Sequence, residues 1–86
     1  MNELNPAAIA SRLRWRCRRG MKELDIVLTT WLDKHYATAT ETERDVFLAL
    51  LDMDDPDLAV VLLGGGSLGD PESDRVVHAI RASTAP

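Results

Sequence analysis

Three times in this chain a short side-chain acceptor stands directly before a proline, at Asn5-Pro6, Asp55-Pro56 and Asp70-Pro71. Each pair places a capping oxygen ahead of a residue whose fixed φ suits the first helical position and which brings no N–H to leave unpaired. A fourth start is the capping box Thr40-Glu41-Thr42-Glu43, in which the Thr40 hydroxyl and the Glu43 carboxylate can satisfy backbone donors reciprocally. A fifth is the corner at Gly20, where a glycine can take the positive φ that closes one helix. Glu23 and Asp25 follow it, in the turn where the positive end of the next helix dipole favours carboxylates.

The apolar periodicity agrees with these starts. Leu24, Leu28, Trp31 and Leu32 follow i, i+4, i+7, i+8, while Phe47, Leu50 and Leu51 follow i, i+3, i+4, as do Leu58, Val61 and Leu62. Val76, Val77 and Ile80 close the pattern. The spacing predicts helices over roughly 6–18, 21–35, 41–52, 56–63 and 71–82, and neither a βαβ alternation nor a hairpin signal is present. One segment resists: Arg12 to Arg18 alternates with period two, which alone reads as a half-buried strand with arginines on one face. Helix is the better reading because Ile9, Leu13 and Cys17 also form an i, i+4, i+8 stripe, Arg and Leu favour helices, and no second strand is available as a partner. Trp15 falls off that stripe, and the pattern leaves open whether it packs under the corner or stands exposed for a partner. The expected fold is all-α, a single small domain of about five helices spanning residues 1–86, with flexible ends at 1–5 and 83–86. Its core is expected to gather Leu24, Leu28, Leu32, Phe47, Leu50, Leu58, Leu62 and Ile80.

A chain of 86 residues buries only about 60–65% of its unfolded surface, so the core is modest. The single cysteine, Cys17, can form neither an internal disulfide nor a thiolate metal cluster, which points to a reducing compartment. The longest apolar run, Leu58 to Leu63, is far short of a membrane span, and the polar amino terminus lacks the apolar core of a signal peptide. A cytoplasmic protein without membrane insertion is expected. The net charge of −4 conceals a split. Residues 1–20 carry five arginines against one glutamate, and the remainder carries five cations against thirteen acids. Such an acidic body disfavours wrapping by nucleic acid but leaves a basic pole to meet a carboxylate-lined surface.

Several motifs have bland explanations that outweigh sharper ones. The Gly64-Gly65-Gly66-Ser67-Leu68-Gly69 run lacks the Gly-Lys-Ser/Thr ending and the preceding strand of a phosphate loop, so it reads as a flexible connector. Asp52, Asp54, Asp55 and Asp57 look like calcium ligands until Pro56 is noticed in their midst; neither the glycine nor the distal glutamate of an EF-hand stands at the required offset. No metal is expected. Cys17 reads as a core residue, although flanking Arg16 and Arg18 can lower a thiol pKa. His35 and His78 read as surface or packing residues. A helix-turn-helix built on the basic run is disfavoured, because the helix that would enter the groove carries Glu23, Asp25 and Asp33. Arg19 and Glu23, four apart, have a purely local explanation too: an ion pair, with Glu23 capping the second helix. No acid, base or nucleophile stands out, and the chain reads as an interaction module and not an enzyme.

The segment Trp15-Arg16-Cys17-Arg18-Arg19-Gly20-Met21-Lys22-Glu23-Leu24-Asp25 carries a further signal. It resembles the Arg-Gly-x-x-Glu signature of the small succinate dehydrogenase assembly factors, which help attach FAD covalently to the flavoprotein subunit. The likeness extends without large gaps from about Ile9 to Ile80, although only Trp15 to Asp25 is specific enough to name the family. The resemblance implies a chain that binds the flavoprotein subunit of succinate dehydrogenase, and often that of fumarate reductase, and promotes a bond between a partner histidine and the 8α carbon of FAD. It implies that FAD is carried by the partner and not bound stably by this chain. Arg19, Gly20 and Glu23 match the signature, with Trp15, Arg18, Met21 and Asp25 as flanking matches, and these seven are the expected partner-binding residues. The carboxyl half departs from the pattern: similar chains tend to place an aromatic residue after Asp-Leu in the fourth helix, where Asp57-Leu58 is followed here by Ala59-Val60-Val61-Leu62. The alternative reading is a protein-binding regulator of antitoxin-like type with an unrelated partner, and a nucleic-acid-binding domain comes third.

Overall fold

The computed structural model describes residues 6–84, with side chains from residue 8 onward. Five helices follow one another: α1 (Pro6–Arg16), α2 (Lys22–Lys34), α3 (Glu41–Leu51), α4 (Asp55–Leu62) and α5 (Pro71–Ala82), with a 3-10 turn at Tyr36–Thr38 between α2 and α3. No strand occurs among the described residues, so the period-two run of arginines is helical up to Arg16. The Asn5 cap and the ends 1–5 and 85–86 lie outside the described residues. Ser83 and Thr84 form a turn, their hydroxyls donating to the carbonyls of Ile80 (2.6 Å) and Arg81 (3.2 Å).

Two of the sequence-coded caps are made as read. The Glu43 N–H donates to Thr40 Oγ1 at 3.1 Å and the Thr40 N–H to Glu43 Oε1 at 2.8 Å, completing the capping box. Asp70 accepts from the Ser73 N–H at 2.9 Å, and the Ser73 hydroxyl and N–H together hold its carboxyl below the usual range. The third cap differs. Asp54, not Asp55, occupies the N-cap of α4 and makes no side-chain cap bond, and Asp55 is the first helical residue. Its carboxylate is claimed instead by Arg19, at 2.9 Å from Nε.

Helix α2 is the centre of the packing, touching α1, α4, α5 and the 3-10 turn, while α3 lies against α5. The reason is its stripe: Leu24, Val27, Leu28, Trp31 and Leu32 are all buried, a face wide enough to be covered from several sides. All eight residues expected in the core are buried, most of them completely. Trp31 lies 4.7 Å from Phe47, centroid to centroid, and meets Tyr36 edge-on at 6.0 Å, so the aromatic centre joins α2 to α3 through the 3-10 turn. Leu13 on α1 and Cys17 just beyond its end are buried, and Ile9 packs against the core.

The glycine-rich connector is held at many points. Gly64 and Gly66 N–H groups donate back to α4 carbonyls, and Arg81 reaches across from α5 to the carbonyls of Val61 and Gly66. Asp74 accepts from the Ser67 hydroxyl and the Leu68 N–H. A Cβ at Gly66 would come within 2.8 Å of the Val60 side chain, so the close return of the chain over α4 requires that glycine.

Leu50 is fully buried, and its replacement by alanine should cost about 2–5 kcal/mol, enough to unfold much of a domain this small. Thermal melting followed by far-UV circular dichroism checks this, and an unchanged curve would remove Leu50 from the core.

Candidate functional site

The chain turns between α1 and α2 over five residues. After α1 the Cys17 N–H still bonds the Leu13 carbonyl at 3.0 Å and the Arg18 N–H closes a last tight turn on Trp15. The Arg19 N–H then leaves the helical path and donates to Asp25 Oδ1 at 2.7 Å, which is why α1 stops two residues before the sequence pattern suggests. Gly20 follows at φ +84°, a left-handed conformation that side-chain-bearing residues adopt at a cost. Met21 is extended and Lys22 begins α2.

The seven sequence-predicted residues divide into those turned inward and those turned outward. Arg19 is turned inward, its side chain only 15% exposed. Its guanidinium donates to Asp55, to the carbonyl of Leu51 at 3.0 Å, to that of Met53, and back to Arg16 at 3.3 Å. Asp25 is half-buried and faces the Arg19 backbone. Trp15 is 71% exposed, which settles its open alternatives in favour of the surface, and the Arg18 guanidinium lies 5.4 Å from its ring centre. Gly20, Met21 and Glu23 are exposed. A Cβ built on Gly20 meets no atom within 4 Å, so the space in front of it is open.

The local explanation for Arg19 and Glu23 fails in this structure. Arg19 pairs with Asp55, and Glu23 makes neither an ion pair nor a hydrogen bond to any described residue, so it caps nothing. Sequence reasoning missed two further features. Ile26, one turn beyond Glu23 on α2, is 46% exposed, and its signal was its absence from the Leu24-Leu28-Trp31-Leu32 stripe. Asp55, 36 positions from Arg19, gave no signal beyond its apparent role as a cap. The basic pole is also largely neutralised within the chain: Arg14 pairs with Asp33, Arg16 with Asp52 and Arg19 with Asp55, whereas Arg12 and Arg18 meet no carboxylate among the described residues.

Cys17 is fully buried, and burial pushes its thiol up to about 11 despite partial offset from Arg14 and Arg19. This reverses the lowering expected from Arg16 and Arg18, whose guanidinium groups turn to Asp52 and to the Trp15 ring. Among the described residues no group of three or more His, Cys, Asp or Glu side chains is placed to hold a metal, and no helix is long and apolar enough to cross a membrane. A groove of about 580 Å³ runs between α1, the end of α2 and the 3-10 turn past Leu32 and Tyr36, and no corner residue lines it.

Comparison with known proteins places the chain in a family. Residues 11–84 match the family described as flavinator of succinate dehydrogenase. The chain belongs to it. A protein of Shewanella oneidensis named FAD assembly factor SdhE is 37% identical over 76 residues, covering 88% of this chain and 93% of its own length. The protein of that name from Aliivibrio fischeri is 42% identical over 69 residues, 80% of this chain and 74% of its own. In this member of the family the departure noted in α4 bears on both packing and surface: Ala59 packs against the core and Val61 is buried, while Val60 is 59% exposed.

Arg19 and Glu23 should separate in stability measurements. Replacing Arg19 by alanine should cost about 2 kcal/mol, because it takes a largely shielded cation away from three carbonyls and a carboxylate, while Glu23→Ala should stay within about 0.5 kcal/mol. Urea unfolding of both variants checks this, and equal losses would contradict the inward assignment of Arg19. A second expectation concerns alkali. The folded Cys17 thiol titrates above its ordinary value of 9.0, so its contribution to stability is intact below that pH and is lost as pH rises toward about 11. The fall in melting temperature across this window should be smaller in Cys17→Ala, and an identical fall would show that the thiol is not held neutral by the fold.

Proposed function

We propose that this chain docks through the Gly20 corner on the flavoprotein subunit of succinate dehydrogenase and promotes covalent attachment of FAD to it, with the fumarate reductase flavoprotein as a second client. The family description, flavinator of succinate dehydrogenase, supports the first of these clients. The observation on this molecule that supports the docking site is the outward set at the corner: the Glu23 carboxylate, with no partner among the described residues, an open face at Gly20, and exposed Trp15, Met21 and Ile26. Aromatic and apolar anchors beside a charged group fit a protein partner, since such anchors supply most binding energy at an interface and the charge sets register. Arg18, held over Trp15, adds a cation at the edge of the same surface. Arg19 and Asp25 belong to the site as the residues that shape the turn.

In this reading the chain performs no chemistry itself. The histidine nucleophile and the flavin pocket belong to the partner, FAD is not bound stably by this chain, and the task is to bias the flavoprotein toward a geometry in which the histidine and the 8α carbon are aligned. The encounter takes place in the cytoplasm, before the flavoprotein joins its complex, and involves no nucleic acid.

Gly20→Asn and Glu23→Gln test the site. Asparagine tolerates left-handed backbone and so spares the fold, but it fills the open space in front of residue 20. Both variants should melt close to the parent and should lower covalent flavin in the partner by about tenfold or more, read as in-gel flavin fluorescence in cells lacking the parent chain. Folded variants that support full flavin attachment would falsify the site assignment.

A further inference from the structure

We infer that Asp55, together with the Arg19 side chain, is a positioning element for the corner: it sets how Gly20 and Glu23 are presented to the partner without touching the partner itself. The inference rests on the docking reading above, and it assigns a role to the α3–α4 turn that lies outside the Arg-Gly-x-x-Glu segment.

The argument begins with the unsatisfied ends of two helices. The carbonyls at the end of α3 have no helical partners and carry the negative end of its dipole, and the first turn of α4 presents the positive end of another. The Arg19 guanidinium enters this gap. It donates to Leu51 and Met53 on the α3 side and, through Nε, to Asp55 in the first turn of α4. Cation and carboxylate thus each face the helix end of opposite sign. A planar guanidinium with five donors is suited to these divergent acceptors, whereas a lysine ammonium on a flexible stem cannot reach all of them in one pose.

The same residue is fixed from the other side by its backbone, whose N–H donates to Asp25 within α2. Arg19 is therefore held at both ends, and only Gly20 and Met21 separate it from the first residue of α2. Gly20 has no neighbour within 4 Å of where a Cβ would sit, so the packing around residue 20 does not fix its place; the held residue before it does. Glu23, with no bond of its own to the described fold, takes its position from the same start of α2. Loss of the Asp55 charge should release the guanidinium, loosen the Arg19 N–H from Asp25 and let the corner sample other geometries. Partner binding would then require the correct one to be selected each time.

The test uses the full chain and the purified flavoprotein subunit, at a temperature well below the melting point of every variant. Asp55→Asn keeps the side-chain shape and removes the charge, and Arg19→Lys keeps the charge and loses the planar fork. Each should weaken binding by about tenfold, and the double variant by no more than either alone, because both break one unit. The salt dependence of affinity should match that of the parent, since no charge is lost from the interface. Parent-like affinity in Asp55→Asn, multiplicative losses in the double variant, or rescue by Arg19→Lys with a flattened salt dependence after Arg19→Ala would overturn the proposal. Hydrogen exchange in the free chain gives a reading independent of any partner: the Arg19 amide should exchange about tenfold faster in Asp55→Asn. Unchanged exchange there overturns the positioning role, whereas accelerated exchange with Glu23→Gln and Gly20→Asn still binding normally would place the failure in the docking site instead.

Discussion

The Arg19 guanidinium joins parts of the chain that no local interaction brings together. It lies at the meeting of the α1–α2 corner, the end of α3 and the start of α4, and it gives donors to carbonyls that would otherwise be left short of partners in a half-buried turn. In a domain of this size the apolar core is small, so the placement of short helices depends on such polar junctions as well as on burial. The α2 stripe brings the helices into contact, and the Arg19 junction fixes where α1 and α4 enter. The Arg81 contacts to Val61 and Gly66 do for the α4–α5 connection what Arg19 does for α3–α4.

The charge split along the chain acquires a different meaning once folded. Three of the arginines in the first 20 residues face aspartates of the acidic remainder, so the basic segment and the acidic body are complementary halves of one structure. The exposed Arg14 and Arg16 pairs add little stability, while the shielded Arg19 is coupled to backbone acceptors and contributes more. What the corner turns outward is sparse: one carboxylate without a partner among the described residues, one open glycine, a tryptophan with an arginine across its face, and the apolar Met21 and Ile26.

Gly20 shows how one residue can serve fold and surface at once. Its positive φ makes the corner possible, and its missing side chain leaves open space outside. The structural requirement and the proposed functional one coincide in sequence but differ in the substitutions they tolerate, because asparagine meets the first and obstructs the second.

Helix starts, apolar faces and core were written in the sequence because caps and i, i+4 spacing act over a few residues. Thr40 with Glu43, Asp70 with Ser73, and the stripe ending at Leu32 needed no knowledge of the rest of the chain. Family membership was legible for the same reason, because the resemblance rested on a short contiguous motif. The allocation of charge was not. Arg19 has a carboxylate four residues away in Glu23 and chooses one 36 residues away in Asp55, because the folded chain places unsatisfied α3 carbonyls next to that aspartate and leaves Glu23 facing water. Trp15 had equal claims to core and surface until the Leu13 and Cys17 face of α1 was seen to be filled, and Cys17 had arginines on both sides whose directions only the packed helix decides. Local sequence determined which elements form; electrostatic partners and exposure depend on which distant groups arrive in the same place, and only the tertiary structure sets that.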